Sequence, residues 1–182
     1  GMKYHPYPSL KSEADRQSLW DGIVNNGLST MATDEYCTSW ETKISGRTVS
    51  DVTGGHNGAE ARMGVTYSEG VSRRGMSLQR FVDVSSANAA KIMGLYPRKG
   101  VLAPGSDADI TLIDTNFKRK LTMDDFHITD YSIWEGFEAD GWPVTTILRG
   151  NVVVENREFK AAPGSGQFIP RKVDAAVTNR PI

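Results

Sequence analysis

The sequence predicts a mixed α and β fold, and three observations carry that prediction. A helix, a tight turn and a strand follow one another from Ser12 to Asp34. Helix-spaced apolar residues fill 60–93, and alternating strand patterns recur between 108 and 154. A period near 3.6 residues marks helices, and a period of two marks half-buried strands.

Lys3 to Lys11, with Pro6, Pro8 and two tyrosines, reads as an extended lead-in without helix. Ser12 offers an N-cap, and Asp15 stands three residues on as a shorter substitute for the capping-box glutamate. Leu19, Trp20, Ile23 and Val24 share one face of the helix that follows, and Gly27 supplies its stop. Leu28 to Thr33 is a strand-compatible run whose C-terminal end presents Asp34. From Glu35 to Gly58 the polar, glycine-bearing chain reads as a long loop. Glu60 to Arg73 and Ser77 to Val84 have helical spacing, and Ser86 is placed to cap a further helix that Gly94 stops.

The character changes after Pro97. Pro104 to Asp107 is a turn, and Ala108 to Asp114 alternates as a strand. Val144 to Leu148 and Val152 to Val154 read as a hairpin around Gly150-Asn151. Between them Tyr131, Trp134, Phe137 and Trp142 suit a packed loop, and beyond Phe159 the Gly-, Pro- and Ala-rich chain trails across a surface.

Composition narrows the functions. Acidic and basic residues nearly cancel, 22 against 21, so no strong field points to nucleic acid or an anionic membrane. No apolar run reaches the roughly 18 residues a membrane span needs, and the start lacks a signal peptide's pattern. The single cysteine, Cys37, excludes an internal disulfide and fits a reducing, cytoplasmic setting. Gly1 before Met2 reads as the scar of a cleaved tag, with translation starting at Met2.

Short motifs then give a resemblance. They include Tyr4 to Lys11, Leu19-Trp-Asp21, Ala32-Thr-Asp34, Asn57-Gly-Ala-Glu-Ala-Arg62 and Leu95-Tyr-Pro-Arg-Lys-Gly100. They continue through Pro104-Gly-Ser-Asp-Ala-Asp109, Asp130-Tyr-Ser-Ile-Trp-Glu-Gly136, Gly141-Trp-Pro-Val144 and Arg149-Gly150. In this order they resemble the C-terminal part of the hydantoinase and dihydropyrimidinase family within the amidohydrolase superfamily. Lys99 to Asp114 is the most informative stretch of that match, and Thr33-Asp-Glu-Tyr36 leans toward the bacterial hydantoinases.

The resemblance implies the last strand and helices of a TIM-like barrel over residues 1–96, part of a C-terminal β-sandwich domain over 97–160, and an extended tail over 161–182. It implies hydrolysis of a small cyclic amide by water bound between two divalent metals, zinc by family habit. Such metals lower the water's pKa and polarise the attacked carbonyl. Asp34 matches the last-strand aspartate, which binds metal and shuttles the water's proton, and Asn57 matches the position whose backbone grips the substrate amide. The bland readings are a strand-end cap for Asp34 and a glycine-flanked turn for Asn57. Glu60 and Arg62 read as structural, and Cys37, without a histidine partner, reads as inert.

The other ligands of such a site are missing. His5, His56 and His127 are the only histidines, and no two stand in His-x-His spacing. Each metal needs several nitrogen and oxygen ligands, so this chain is expected to hold no metal stably. A barrel takes about 250 residues, more than this chain has. Incomplete barrel and sheet would leave apolar faces and open edges, so self-association, or the missing barrel portion as partner, is expected. Three functions follow: a truncated cyclic-amide hydrolase inactive by itself, a non-catalytic oligomerisation or binding module, or a metal-binding protein using His56 and Asp34.

Overall fold

Ser12 opens the first helix as its sequence requires. In the computed structural model its hydroxyl accepts the Asp15 N–H at 3.2 Å, while the Asp15 carboxylate accepts the Ser12 N–H at 2.9 Å. This reciprocal capping box starts α1 (Glu13–Val24). The structure describes residues 1–9 and 11–179; Leu10 of the lead-in motif and positions 180–182 of the expected tail lie outside the described residues. Trp20, Ile23 and Val24 pack onto the core, but Leu19, expected on the same face, is exposed. The left-handed residue that ends the helix is Asn26 (φ +65°), and Gly27 follows it with its N–H on the Gly22 carbonyl at 2.7 Å.

The expected strand from Leu28 to Thr33 is extended chain without a ladder partner among the described residues. A strand is completed by its neighbours, and none of the described strands pairs with this segment. The expected loop from Glu35 to Gly58 contains a short helix, α2 (Trp40–Lys43), capped by the Ser39 hydroxyl.

The helical layer is more continuous than its capping signals suggest. α3 (Arg62–Thr66) runs directly into a π-helical stretch, Tyr67–Arg73. After the cap at Ser77, α4 (Leu78–Val82) runs through a second π-helical stretch, Asp83–Ala87, into α5 (Asn88–Ile92). Ser86 therefore caps nothing and lies inside the wide turn, where the neighbouring Ser85 hydroxyl donates back to the Phe81 carbonyl at 2.5 Å. Gly94, at φ +69°, ends this helix as expected.

The β region is one antiparallel meander of β1 (Ile110–Lys120), β2 (Glu138–Leu148), β3 (Asn151–Glu155) and β4 (Glu158–Phe159). The first strand starts later and runs further than Ala108 to Asp114, with a register break between Asp114 and Lys118. The β2–β3 turn falls at Arg149-Gly150, one residue before the expected pair, with Leu148 opposite Asn151. Both turn residues are left-handed (φ +49° and +81°), which matches the right-handed twist of the flanking strands. Trp142, expected in a loop, is a buried residue of β2.

The sheet seats on the helical layer through two glycines. A Cβ at Gly64 would overlap the Trp142 ring, and one at Gly141 would overlap the Tyr67 ring. The Ser68 hydroxyl accepts the Asp140 N–H at 2.9 Å and donates to the Gly141 carbonyl at 3.2 Å. On one side Ala61, Leu121, Phe126, Ala139 and Trp142 are buried together; on the other lie Tyr67, Met76, Phe81 and Val84. The tail is tied to the surface by Arg149 to the Ser165 carbonyl (2.6 Å) and by the Lys172 N–H to the Gly94 carbonyl (3.0 Å). It is not extended throughout: α6 (Ala175–Asn179) forms near its end. No helix among the described residues is long and apolar enough to cross a membrane.

Candidate functional site

The candidate site lies where the extended segment 28–39 meets the 53–60 loop. Asp34 is exposed and left-handed (φ +46°), a conformation that aspartate tolerates better than most residues. Glu35 turns the other way, and its Oε2 accepts the N–H groups of Gly58 and Ala59 at 2.5 and 2.6 Å. A carboxylate in this place stabilises the turn that leads into α3. Glu35 thereby fastens Asp34's neighbour to Asn57's neighbour, although nothing in its sequence position marks it for that role.

Asn57 is buried, at 1% exposure, and both polar atoms of its side chain are hydrogen-bonded. Its Nδ2 donates to the Ser132 hydroxyl at 2.9 Å, and its Oδ1 accepts the Ile133 N–H at 3.3 Å. Its carbonyl accepts the Trp134 indole N–H at 2.9 Å. The Asp130 to Gly136 motif is thus packed directly behind Asn57. His56 joins Trp20, Met31, Thr33, Arg62 and Trp134 around a largely apolar cavity of about 240 Å³.

The residues read as structural hold backbone. Glu60 accepts the His127 N–H at 2.9 Å and lies 2.7 Å from its Nδ1. Arg62 donates to the Met31 carbonyl at 3.2 Å. The His5 ring stacks edge-on against Tyr7 at 4.8 Å, away from any ligand cluster. Burial, reinforced by the carboxylates of Glu35 and Glu60, pushes the Cys37 thiol up to about 11, so it stays protonated near neutrality.

The largest departure from the sequence reading is Lys43. It is fully buried, and its ammonium donates to three carbonyls: His5 at 2.7 Å, Thr53 at 2.9 Å and Gly55 at 2.6 Å. Its partners are backbone groups 38, 10 and 12 residues away, so no local pattern points to them.

The fit of a metal centre can be judged from the donor set. Among the described residues no three His, Cys, Asp or Glu side chains gather in a group able to hold a metal ion. Asp34 offers one exposed carboxylate, while Glu35, Glu60 and His127 are committed to other partners. The described residues do not fit a two-metal centre by themselves.

Comparison with known proteins gives these positions a context. The sequence pattern of the Amidohydrolase family matches residues 5–153. D-phenylhydantoinase of Escherichia coli O1:K1 / APEC is 38% identical over 176 residues, covering 94% of this chain and 38% of that protein. D-hydantoinase of Geobacillus stearothermophilus is 35% identical over 176 residues, covering 94% and 37%. The structure of D-hydantoinase (dihydropyrimidinase) from Thermus sp. superimposes with a TM-score of 0.89 at 35% identity, covering 93% of this chain and 38% of that one. The chain thus spans less than two fifths of the length of the relatives it matches. It belongs to the amidohydrolase family.

Proposed function

From this membership we propose that the chain is the C-terminal portion of a hydrolase that opens cyclic amides of the hydantoin or dihydropyrimidine type. Asp34 would supply a metal-binding carboxylate that also accepts the proton of the attacking water. The backbone at Asn57 would grip the ring amide. The observation that carries the reading is the link from Glu35 to Gly58 and Ala59, which holds these two positions in one assembly. Identity of 35–38% across 94% of the chain to two hydantoinases supports it.

The paired metals of the family would activate water and polarise the ring carbonyl. One carboxylate cannot hold them, so the remaining ligands must come from elsewhere, and the isolated chain is proposed to have no turnover of its own. Zinc is the proposed metal. Residues 1–96 are proposed as the barrel portion and 97–160 as part of the β-domain. The missing neighbours of segment 28–39 favour assembly with further barrel polypeptide, or a homo-oligomer, over a lone monomer.

The test is to place this chain in G. stearothermophilus D-hydantoinase in exchange for the 176 matched residues. The graft should hydrolyse hydantoin or dihydrouracil with zinc present. Asp34→Asn should lower its kcat by about a thousandfold or more, the scale on which a catalytic carboxylate counts. A folded, metal-loaded graft without turnover would favour the non-catalytic binding or oligomerisation module.

A further inference from the structure

The ammonium of Lys43 is buried without exposure and is surrounded by three backbone carbonyls at 2.6 to 2.9 Å. An ammonium has three N–H donors, and here each meets one acceptor. The carbonyls belong to two stretches distant in sequence, His5 in the lead-in and Thr53 with Gly55 in the loop. The Gly55 N–H also donates to the His5 carbonyl at 3.1 Å, so the lead-in and the loop are joined twice. Gly55 itself is left-handed (φ +91°), and a Cβ there would crowd Tyr36. The loop therefore approaches Tyr36 too closely for any other residue.

Two anchors flank Asn57. Lys43 holds Gly55 on one side, and the Glu35 carboxylate holds Gly58 on the other. We propose that Lys43 is a positioning residue, whose ammonium gathers the carbonyls of His5, Thr53 and Gly55 and so sets where Asn57 stands relative to Asp34. The chemical value of that position rests on the hydrolase reading above, whereas the clamp is a property of this chain and can be measured without turnover. A lysine suits the task because all three donors of its compact head sit on one nitrogen at the end of a flexible stem, whereas a guanidinium spreads its donors over a plane.

The test uses the full chain with ¹⁵N-labelled lysine. Wild type should give one slowly exchanging ammonium resonance near neutral pH, assigned to Lys43 through its side-chain carbons. Absence of that resonance would overturn the clamp, even if every Lys43 variant failed to fold. In Lys43→Met, which keeps the stem and removes the donors, amide exchange at Gly55, Asn57 and Gly58 should accelerate at least tenfold more than at Leu112 and Thr145 of the sheet. The Asn57 side-chain amide resonance should shift as its bond to Ser132 loosens. Equal acceleration in loop and sheet would show only general destabilisation and would overturn the positioning role, as would an unchanged loop. Failure of the hydantoinase graft to turn over would count against the hydrolase reading and would leave these exchange rates to decide the clamp.

Discussion

The β meander and segment 28–39 are both non-helical chain, yet they are held in opposite ways. In the meander each strand finds its partner through a short turn, and the ladder satisfies the backbone. Among the described residues segment 28–39 has no such ladder, and side chains from the helical layer take its place. Arg80 donates to the Leu28 carbonyl, Asn88 to the Ser29 carbonyl at 3.0 Å, and Arg62 to the Met31 carbonyl at 3.2 Å. The Val84 carbonyl accepts the Met31 N–H at 3.1 Å. Lys43 does the same service for the carbonyls of His5, Thr53 and Gly55, outside this segment. Backbone in a protein interior must be satisfied from some source, and where neighbouring strands are missing, long polar side chains become that source.

This difference can be broken most sharply at Arg80. Its guanidinium is mostly buried and reaches the carbonyls of Ile23 (2.6 Å) and Leu28 and the Asn26 side chain (2.8 Å). Arg80→Met keeps much of the stem and leaves those acceptors without their donor, so it should cost about 3 kcal/mol in urea unfolding. A loss below about 1 kcal/mol would mean that the side-chain anchors do not replace a ladder. Gly64→Ala probes the other region by packing alone, because the new Cβ overlaps Trp142. It should cost about 2 kcal/mol and red-shift or broaden tryptophan emission as the buried Trp142 ring is displaced, with Arg80's contacts untouched. Ser12→Ala removes a surface cap remote from both regions and should cost about 1 kcal/mol in the same titration.

The smallest expected effect is on reactivity. With its thiol raised to about 11, Cys37 should react with iodoacetamide at pH 8 about tenfold more slowly than an ordinary thiol, since the smaller thiolate fraction outweighs its greater nucleophilicity. The sign for stability follows from the protonated thiol being the form that the fold prefers. Any contribution is complete below the ordinary cysteine range near 9 and is lost as pH rises toward 11. Labelling as fast as in urea-unfolded chain would place Cys37 outside its buried setting.

What was legible in the sequence is what neighbours in sequence decide. The Ser12–Asp15 box, the stop at Gly94 and the β2–β3 hairpin depend on contacts within a few residues; the first two stand where their patterns lie and the hairpin turn lies one residue away. The turn shifted by one residue because left-handed backbone at Arg149 and Gly150, not composition alone, aligns the strands. Asp34 and Asn57 are candidates through motif resemblance, and what the structure adds is a contact between their neighbours Glu35 and Gly58. Lys43, Glu35 and Arg80 were not legible, because their partners lie 10 to 57 residues away and differ in no local signal from solvated charges.

The sequence by itself determined the helical layer, the strands of the hairpin, the caps at Ser12 and Gly94 and the family to which the chain belongs, since these follow from periodicity, turn chemistry and local order of motifs. Only the tertiary structure decided that Leu28 to Thr33 lacks a ladder, that Trp142 and Tyr67 close over two glycines, and that a buried ammonium ties the lead-in to the Asn57 loop. The physical reason is one of range. Propensity acts between adjacent residues, whereas the satisfaction of buried backbone and charge is settled by whichever groups folding brings within about 3 Å.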